Sequence, residues 1–369
     1  MTIAPAPTPP AVEPGGTGQK GFRRLLGAAL RHPVIVPVGA VIVALLIGAV
    51  VMIAAGLNPL EAYAAVLAGA FDPDSLDYTI SVWGFICGMA VAAAIPLRMG
   101  EFNLGGNGQM VLGGVTAAVV AGQLGLPGWI AVPLAVVGAV VVAGAFGALS
   151  APLATRFGIP IIISTLLLSP VAVAVVSYLV RYPLAEQGSA VAQTPKLPVD
   201  GRMPGLGGLS YTTWGLVLII VVMAIFWLVD SRAAVGFELR TVGANRRFAS
   251  YGGVRVGRLA VGAMATGAAA AGLVGAIIVL SPPYRLIDGA LTSPGYTFAG
   301  LAAALLAGGR PALIPVTSIL FTVLQVGGAA MERTADVPRQ LSDVLQGIVI
   351  VVLALRTIID QRRTERSSA

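Results

Sequence analysis

The sequence predicts an all-α protein that crosses a membrane about ten times, and three observations carry that prediction. Of its 369 residues 57% are apolar and only 11% charged, with a mean hydropathy of +0.89, whereas soluble domains carry about 25% charged residues. Apolar residues recur in runs of roughly 17 to 25, the length a helix rising 1.5 Å per residue needs to cross about 30 Å of hydrocarbon. The unbroken apolar stretch 34–56 has none of the ten-residue alternation of a membrane-barrel strand.

In chain order, residues 1–33 are read as a disordered tail rich in Pro, Gly, Ala and Thr, with a basic flank of Lys20, Arg23, Arg24 and Arg31. The apolar run that follows starts too late and is too long for a signal peptide, so it is read as an uncleaved first span. Spans are expected at about 34–56, 80–97, 104–124, 128–150, 159–180, 213–229, 259–280, 295–308, 313–331 and 341–356. They form one transmembrane domain over 34–358, and residues 359–369 form a second tail. The short stretch 295–308 and the polar junction 99–108 read as broken or re-entrant helices. Placing the N-terminus in the cytoplasm puts 17 of the 23 Lys and Arg on the cytoplasmic side and 6 outside, and the reverse placement inverts the ratio. The first external loop, 57–79, holds Glu61, Asp72, Asp74 and Asp77 and no basic residue. Both termini are therefore expected in the cytoplasm. Helices 2–5 and 7–10 form two groups offset by five crossings, so they run in opposite senses, the geometry of an inverted repeat.

Several classes are set aside by composition. The net charge of +7 records orientation rather than a nucleic-acid partner. One cysteine, Cys87, and one histidine, His32, allow neither a disulfide framework nor a Cys/His metal cluster within the chain. The 47 glycines suit helices that pack closely in lipid.

Two segments carry the candidate chemistry. The loop 230–258 holds six arginines and an amphipathic stretch bounded by Gly243 and Gly252, where the chain is expected to turn. It reads either as a short helix presented to a partner or as a positive loop that only fixes topology. The junction Gly100-Glu101-Phe102-Asn103-Leu104-Gly105-Gly106-Asn107-Gly108-Gln109 places amides between apolar runs, where lipid would leave them unsatisfied. It reads either as a packed helix junction or as part of a wet solute path.

Four phrases resemble one family. The loop, with Gly236, Arg240, Val242, Gly243, Asn245, Ala249, Tyr251, Gly252 and Val254, is similar to the coupling segment of ABC importer permeases of the nucleoside and simple-sugar (ribose, branched-chain amino-acid) type. The junction resembles that family's GxFNIGxEGQMLLGA, with Asn107 where the pattern has Glu. Residues 159–171 resemble HEVISTLMLNYIA, keeping Ser164, Thr165 and Leu168 but with Ser169 for Asn. SPGYTFAGLAAALLAGGRP, beginning at Ser293, is similar to the nucleoside-type SPGYGFDGIAVALLGRNNP, with Ala299 for Asp.

The resemblance implies the membrane permease subunit of an ATP-driven importer for nucleosides or related sugars in a bacterial cell membrane. No GxxxxGK[ST] motif occurs, so ATP and Mg would be held by partner ATPase subunits and this chain would have neither cofactor nor catalytic role. A second, related permease chain and an extracytoplasmic solute-binding lipoprotein would complete the assembly. On the resemblance, Phe102, Asn103, Asn107, Gln109, Ser164, Thr165 and Tyr296 line the substrate pathway. Arg240, Gly243, Asn245, Arg246, Arg247, Tyr251 and Gly252 couple to the ATPase, the arginines by pairing with its acidic groups. The alternative is a secondary transporter driven by an ion gradient, which would ordinarily require ionisable residues at mid-membrane.

Overall fold

The computed structural model describes residues 35–335 and scattered positions between 337 and 351. The expected tails at 1–33 and 359–369, and most of the last expected span, lie outside the described residues. Among those described there are thirteen α-helices and no strand beyond isolated bridges. They are α1 (Ile35–Ala54), α2 (Pro59–Phe71), α3 (Leu76–Leu97), α4 (Gly106–Gln123), α5 (Gly128–Ala148), α6 (Ser150–Phe157), α7 (Ile161–Arg181), α8 (Gly215–Arg232), α9 (Ala234–Ala244), α10 (Arg246–Tyr251), α11 (Val256–Leu280), α12 (Tyr296–Leu306) and α13 (Ile314–Ala335).

Six stretches are long and apolar enough to cross a membrane: Leu76–Leu97, Gly128–Phe157, Ile161–Arg181, Gly215–Arg232, Val256–Leu280 and Pro311–Thr334. The chain is thus a multi-pass membrane protein, with six such spans among the described residues where about ten were expected. α4 is 18 residues long but opens on Asn107 and Gln109, and α12 has only 11 residues. Residues 57–79, expected as an external loop, are largely helix α2. Pro59 starts it at the position where a missing N–H costs nothing, and Asn58 caps it by accepting from the Leu60 N–H at 3.1 Å. The helix then packs along α13 through Gly69 against Ala330 and Gly327 against Val66, where no Cβ would fit.

The core is organised around α11, which packs against α3, α4 and α5. Gly267 sits on the Ala92 carbonyl and Pro96 of α3, Gly272 on Gly113 of α4 and on Ala139 and Ala143 of α5, and Gly275 on the Met110 carbonyl of α4. Lipid offers helices little hydrophobic incentive to associate, so close approach through small residues supplies the dispersion that holds them.

This packing buries the starts of two helices. Gly106 of α4 lies against Thr297 of α12 and Met89 of α3, and Gly300 of α12 lies against the Met89 backbone. Met89 is thirteen residues along α3, about 20 Å from its outer end at 1.5 Å per residue. α4 and α12 therefore begin inside the bundle and meet near their N-terminal tips. The polar junction 99–108 and the short stretch 295–308, expected as broken or re-entrant helices, fall at these two breaks.

Candidate functional site

α3 ends where Gly100 adopts φ +79°, with Glu101 N–H donating to the Pro96 carbonyl and Gly100 N–H to the Leu97 carbonyl. This left-handed glycine stop satisfies the last carbonyls and turns the chain back into the bundle. Asn103, Gln109 and Thr165 then form one buried cluster. Asn103 and Gln109 exchange amide hydrogen bonds of 2.9 and 3.1 Å, and Asn103 Oδ1 also accepts from Gly105 N–H at 2.9 Å, at the start of α4. Thr165 Oγ1 accepts from Leu104 N–H at 3.2 Å. Ser169 Oγ accepts from Gly108 N–H at 2.9 Å. The free amides of the break are thus held by side chains of α7 and of the junction itself.

The expected pathway residues divide accordingly. Asn103, Gln109 and Thr165 come together, whereas Ser164 turns to the carbonyls of Ile161 and Ser150. Tyr296 lies edge-on to Phe85, with ring centres 5.8 Å apart, and Phe102 is half-buried at the junction. Asn107 differs from the others, because its Oδ1 is buried without a hydrogen-bond partner. Thr297, which the sequence patterns did not single out, shares that property at the tip of α12.

On the side where α3 ends, the segment after α8 folds into two helices rather than one. Gly243 lies inside the last turn of α9, and the break between helices comes at Asn245, which caps α10 by accepting from Phe248 N–H at 2.9 Å. The turn expected at Gly252 is completed by Gly253, which takes the left-handed conformation at φ +87°, while Gly252 has φ −74°. Gly243 serves close approach instead of turning: a Cβ there would run into the Arg98 carbonyl.

Ion pairs extend this contact. Arg98 donates from Nε to Asp230 Oδ1 at 2.8 Å and pairs through its second nitrogen with Oδ2, while Arg240 bonds the Asp230 carbonyl and lies 3.4 Å from Oδ1. Arg246 pairs with Glu101 at 2.8 Å. Two of the three arginines expected to meet an ATPase are therefore engaged within the chain, and Arg247 is exposed without an ion-pair partner among the described residues. Beside the exposed Arg247, this surface presents three large apolar side chains, Phe237, Phe248 and Tyr251, the last 90% exposed. The Arg98–Asp230 pair escaped the sequence patterns, although two charges at the ends of apolar spans are themselves a signal that each needs a partner.

The opposite face is closed by the segment before α8 and the segment after α11. Asp77 at the start of α3 accepts from the N–H groups of Ser210, Tyr211 and Thr212 at 2.7 to 2.8 Å. Arg285 pairs with Glu186, Arg181 with Asp288, and Arg202 lies 5.0 Å from the Tyr284 ring centre. The Arg285 and Arg202 contacts tie the 182–214 segment to 281–294, while Asp77 and Arg181 anchor these segments to α3 and α7.

Residues 75–354 match the family model described as the permease component of branched-chain amino acid transport systems. The chain belongs to that family. It is 30% identical to the guanosine ABC transporter permease protein NupP of Bacillus subtilis over 87% of its length and 92% of the relative's. It is 28% identical to the glucose ABC transporter permease protein TsgB13 of Haloferax volcanii, over 86% of each chain. The nucleoside ABC transporter permease protein NupB of Lactococcus lactis is 25% identical over 89% of this permease and 92% of its own length.

Proposed function

We propose that this permease subunit carries nucleosides or related sugars into the cell, using alternating access driven by ATPase subunits made from other chains. The observation that carries this reading is the contact between docking surface and polar junction. Gly243 rests on the Arg98 backbone, and Arg98 and Glu101, five and two residues before Asn103, pair with Asp230 and Arg246. Movement imposed on α9 and α10 would pull on the same short segment that holds the start of α4. The exposed Phe237, Phe248 and Tyr251 would seat in an ATPase groove, with Arg247 at the rim.

In the same reading, Asn107 offers the solute an acceptor, while Asn103, Gln109 and Thr165 hold the broken backbone. A hydroxyl or ring N–H of a nucleoside or sugar supplies the donor that Asn107 Oδ1 lacks. The termini lie in the cytoplasm of a bacterial cell, and a second, related permease and an extracytoplasmic binding lipoprotein complete the complex. The paired arrangement, in which α3 packs on α12 and α11 on α4 with α3 and α11 in contact, supports the inverted repeat.

The test is uptake of labelled guanosine and glucose by proteoliposomes holding the chain with its ATPase, second permease and binding protein. Uptake is expected to require ATP, to stop with vanadate and to survive collapse of ion gradients. Uptake that follows an ion gradient without ATP would overturn the proposal and favour a secondary transporter.

A further inference from the structure

An apolar groove of about 360 Å³ lies between α8 and α11, with Ile95 of α3 also in its lining, and no residue named in the transport reading lines it. Its walls are Val222, Ile225, Phe226 and Val229 of α8 facing Leu259 and Ala263 of α11, with Val235 and Leu239 of α9 across one end. Gly262 forms part of the lining and has no atom within 4 Å of where a Cβ would stand, so the missing side chain is what opens the groove. Thr266 adds little polarity, because its hydroxyl donates to the carbonyls of Gly262 and Ala263 in its own helix.

One end of the groove is cationic. Arg258 lines it, Arg255 lies one turn before Arg258, and Arg232 lies one turn beyond Val229 at the end of α8. All three are exposed, and none has an ion-pair partner among the described residues. Asp230 is occupied by Arg98 and Arg240, which leaves Glu238 of α9 as the nearby carboxylate in sequence, outnumbered by the three arginines. From Arg258 to Thr266 is eight residues, about 12 Å of helix, close to half of a 30 Å hydrocarbon layer. The groove therefore has the depth of one leaflet, with cations at the headgroup end and apolar walls below.

We infer that this groove binds an anionic phospholipid, its headgroup against Arg258, Arg255 and Arg232 and an acyl chain along α8 and α11. A helix from another permease chain would fit the apolar walls but would have to bring its own acidic groups to the arginines, whereas an anionic lipid unites both features in one molecule. The leaflet is the cytoplasmic one in the orientation proposed above. The inference rests on that reading for the side of the membrane alone.

The full-length chain, delipidated and then titrated with phosphatidylglycerol or phosphatidylcholine of the same acyl composition, tests this by native mass spectrometry and thermal shift. Phosphatidylglycerol is expected to be retained in preference to phosphatidylcholine. Arg258→Gln should lower that retention about fivefold, the scale of one basic residue at an anionic surface. Gly262→Leu should abolish it without lowering the melting temperature, since the new side chain enters open space and improves helix propensity. Equal retention of the two lipids, or phosphatidylglycerol retention unchanged in either variant, would overturn the site. So would a Gly262→Leu variant that keeps its lipid and loses a co-purifying permease chain, which would assign the groove to a helix. Because the assay reads lipid selectivity and not transport, its failure leaves the importer reading intact, and a failed transport test leaves the groove intact.

Discussion

The buried Oδ1 of Asn107 and the buried carboxylate of Asp230 show how differently two polar groups contribute. Asn107 Oδ1 has no partner to lose, so Asn107→Leu is expected to leave the melting temperature unchanged or slightly higher while lowering solute uptake up to about tenfold, the worth of one net hydrogen bond. Equal uptake by parent and variant would make the residue packing alone. Asp230 is the reverse case. Its side chain is 8% exposed and that of Arg98 17%, so Asp230→Ala strands a largely buried guanidinium at a cost of about 3 kcal/mol. Thermal denaturation of Asp230→Ala, Arg98→Met and the double variant should reveal coupling, with the double variant more stable than Asp230→Ala. Phrase matching brought out Asn103, Asn107 and Gln109 because they are adjacent in sequence. It was silent on Arg98 with Asp230, which are separated by 132 positions and belong to no common phrase.

At the scale of elements, glycine was legible as a residue but not in its role. Gly243 was expected to bend the chain and instead lies in helix α9 against the Arg98 carbonyl. Gly243→Ala should therefore perturb the α3–α9 contact at a cost of about 1–3 kcal/mol. It is expected to raise the ATP hydrolysed per solute imported, and an unchanged ratio in the reconstituted complex would remove Gly243 from the coupling path. The expected spans from 80–97 to 313–331 each have a helical counterpart, because long apolar runs have one economical solution in lipid. α2 was missed because its 13 residues fall short of a span and its acidic flank reads as a loop. The meeting of α4 and α12 was not readable at all, since it depends on how far each break sinks into the bundle.

For the whole molecule, the basic asymmetry leads to the expectation that the 57–79 region and the proposed docking segment lie on opposite sides of the membrane. Single cysteines at Asp74 and Arg246, in a background where Cys87 is replaced, should label from opposite faces of intact cells and inverted vesicles; labelling from the same face would refute the map. The glycine contacts of α11 bear on a different property of the molecule, its readiness to move. Interdigitated side chains act as ratchet teeth that hold a helix in one register, and changing register means lifting every tooth from its slot. Where Gly267, Gly272 and Gly275 meet neighbouring backbone, the facing surfaces are nearly toothless. Such bearings resist separation, because contact is close, yet they offer little friction to an ångström-scale glide along the helix axis. The tight centre of the bundle is thereby suited to be a sliding joint, for which the interlocked contacts at its two faces, Arg98–Asp230 and Asp77 with the 210–212 backbone, would be the latches.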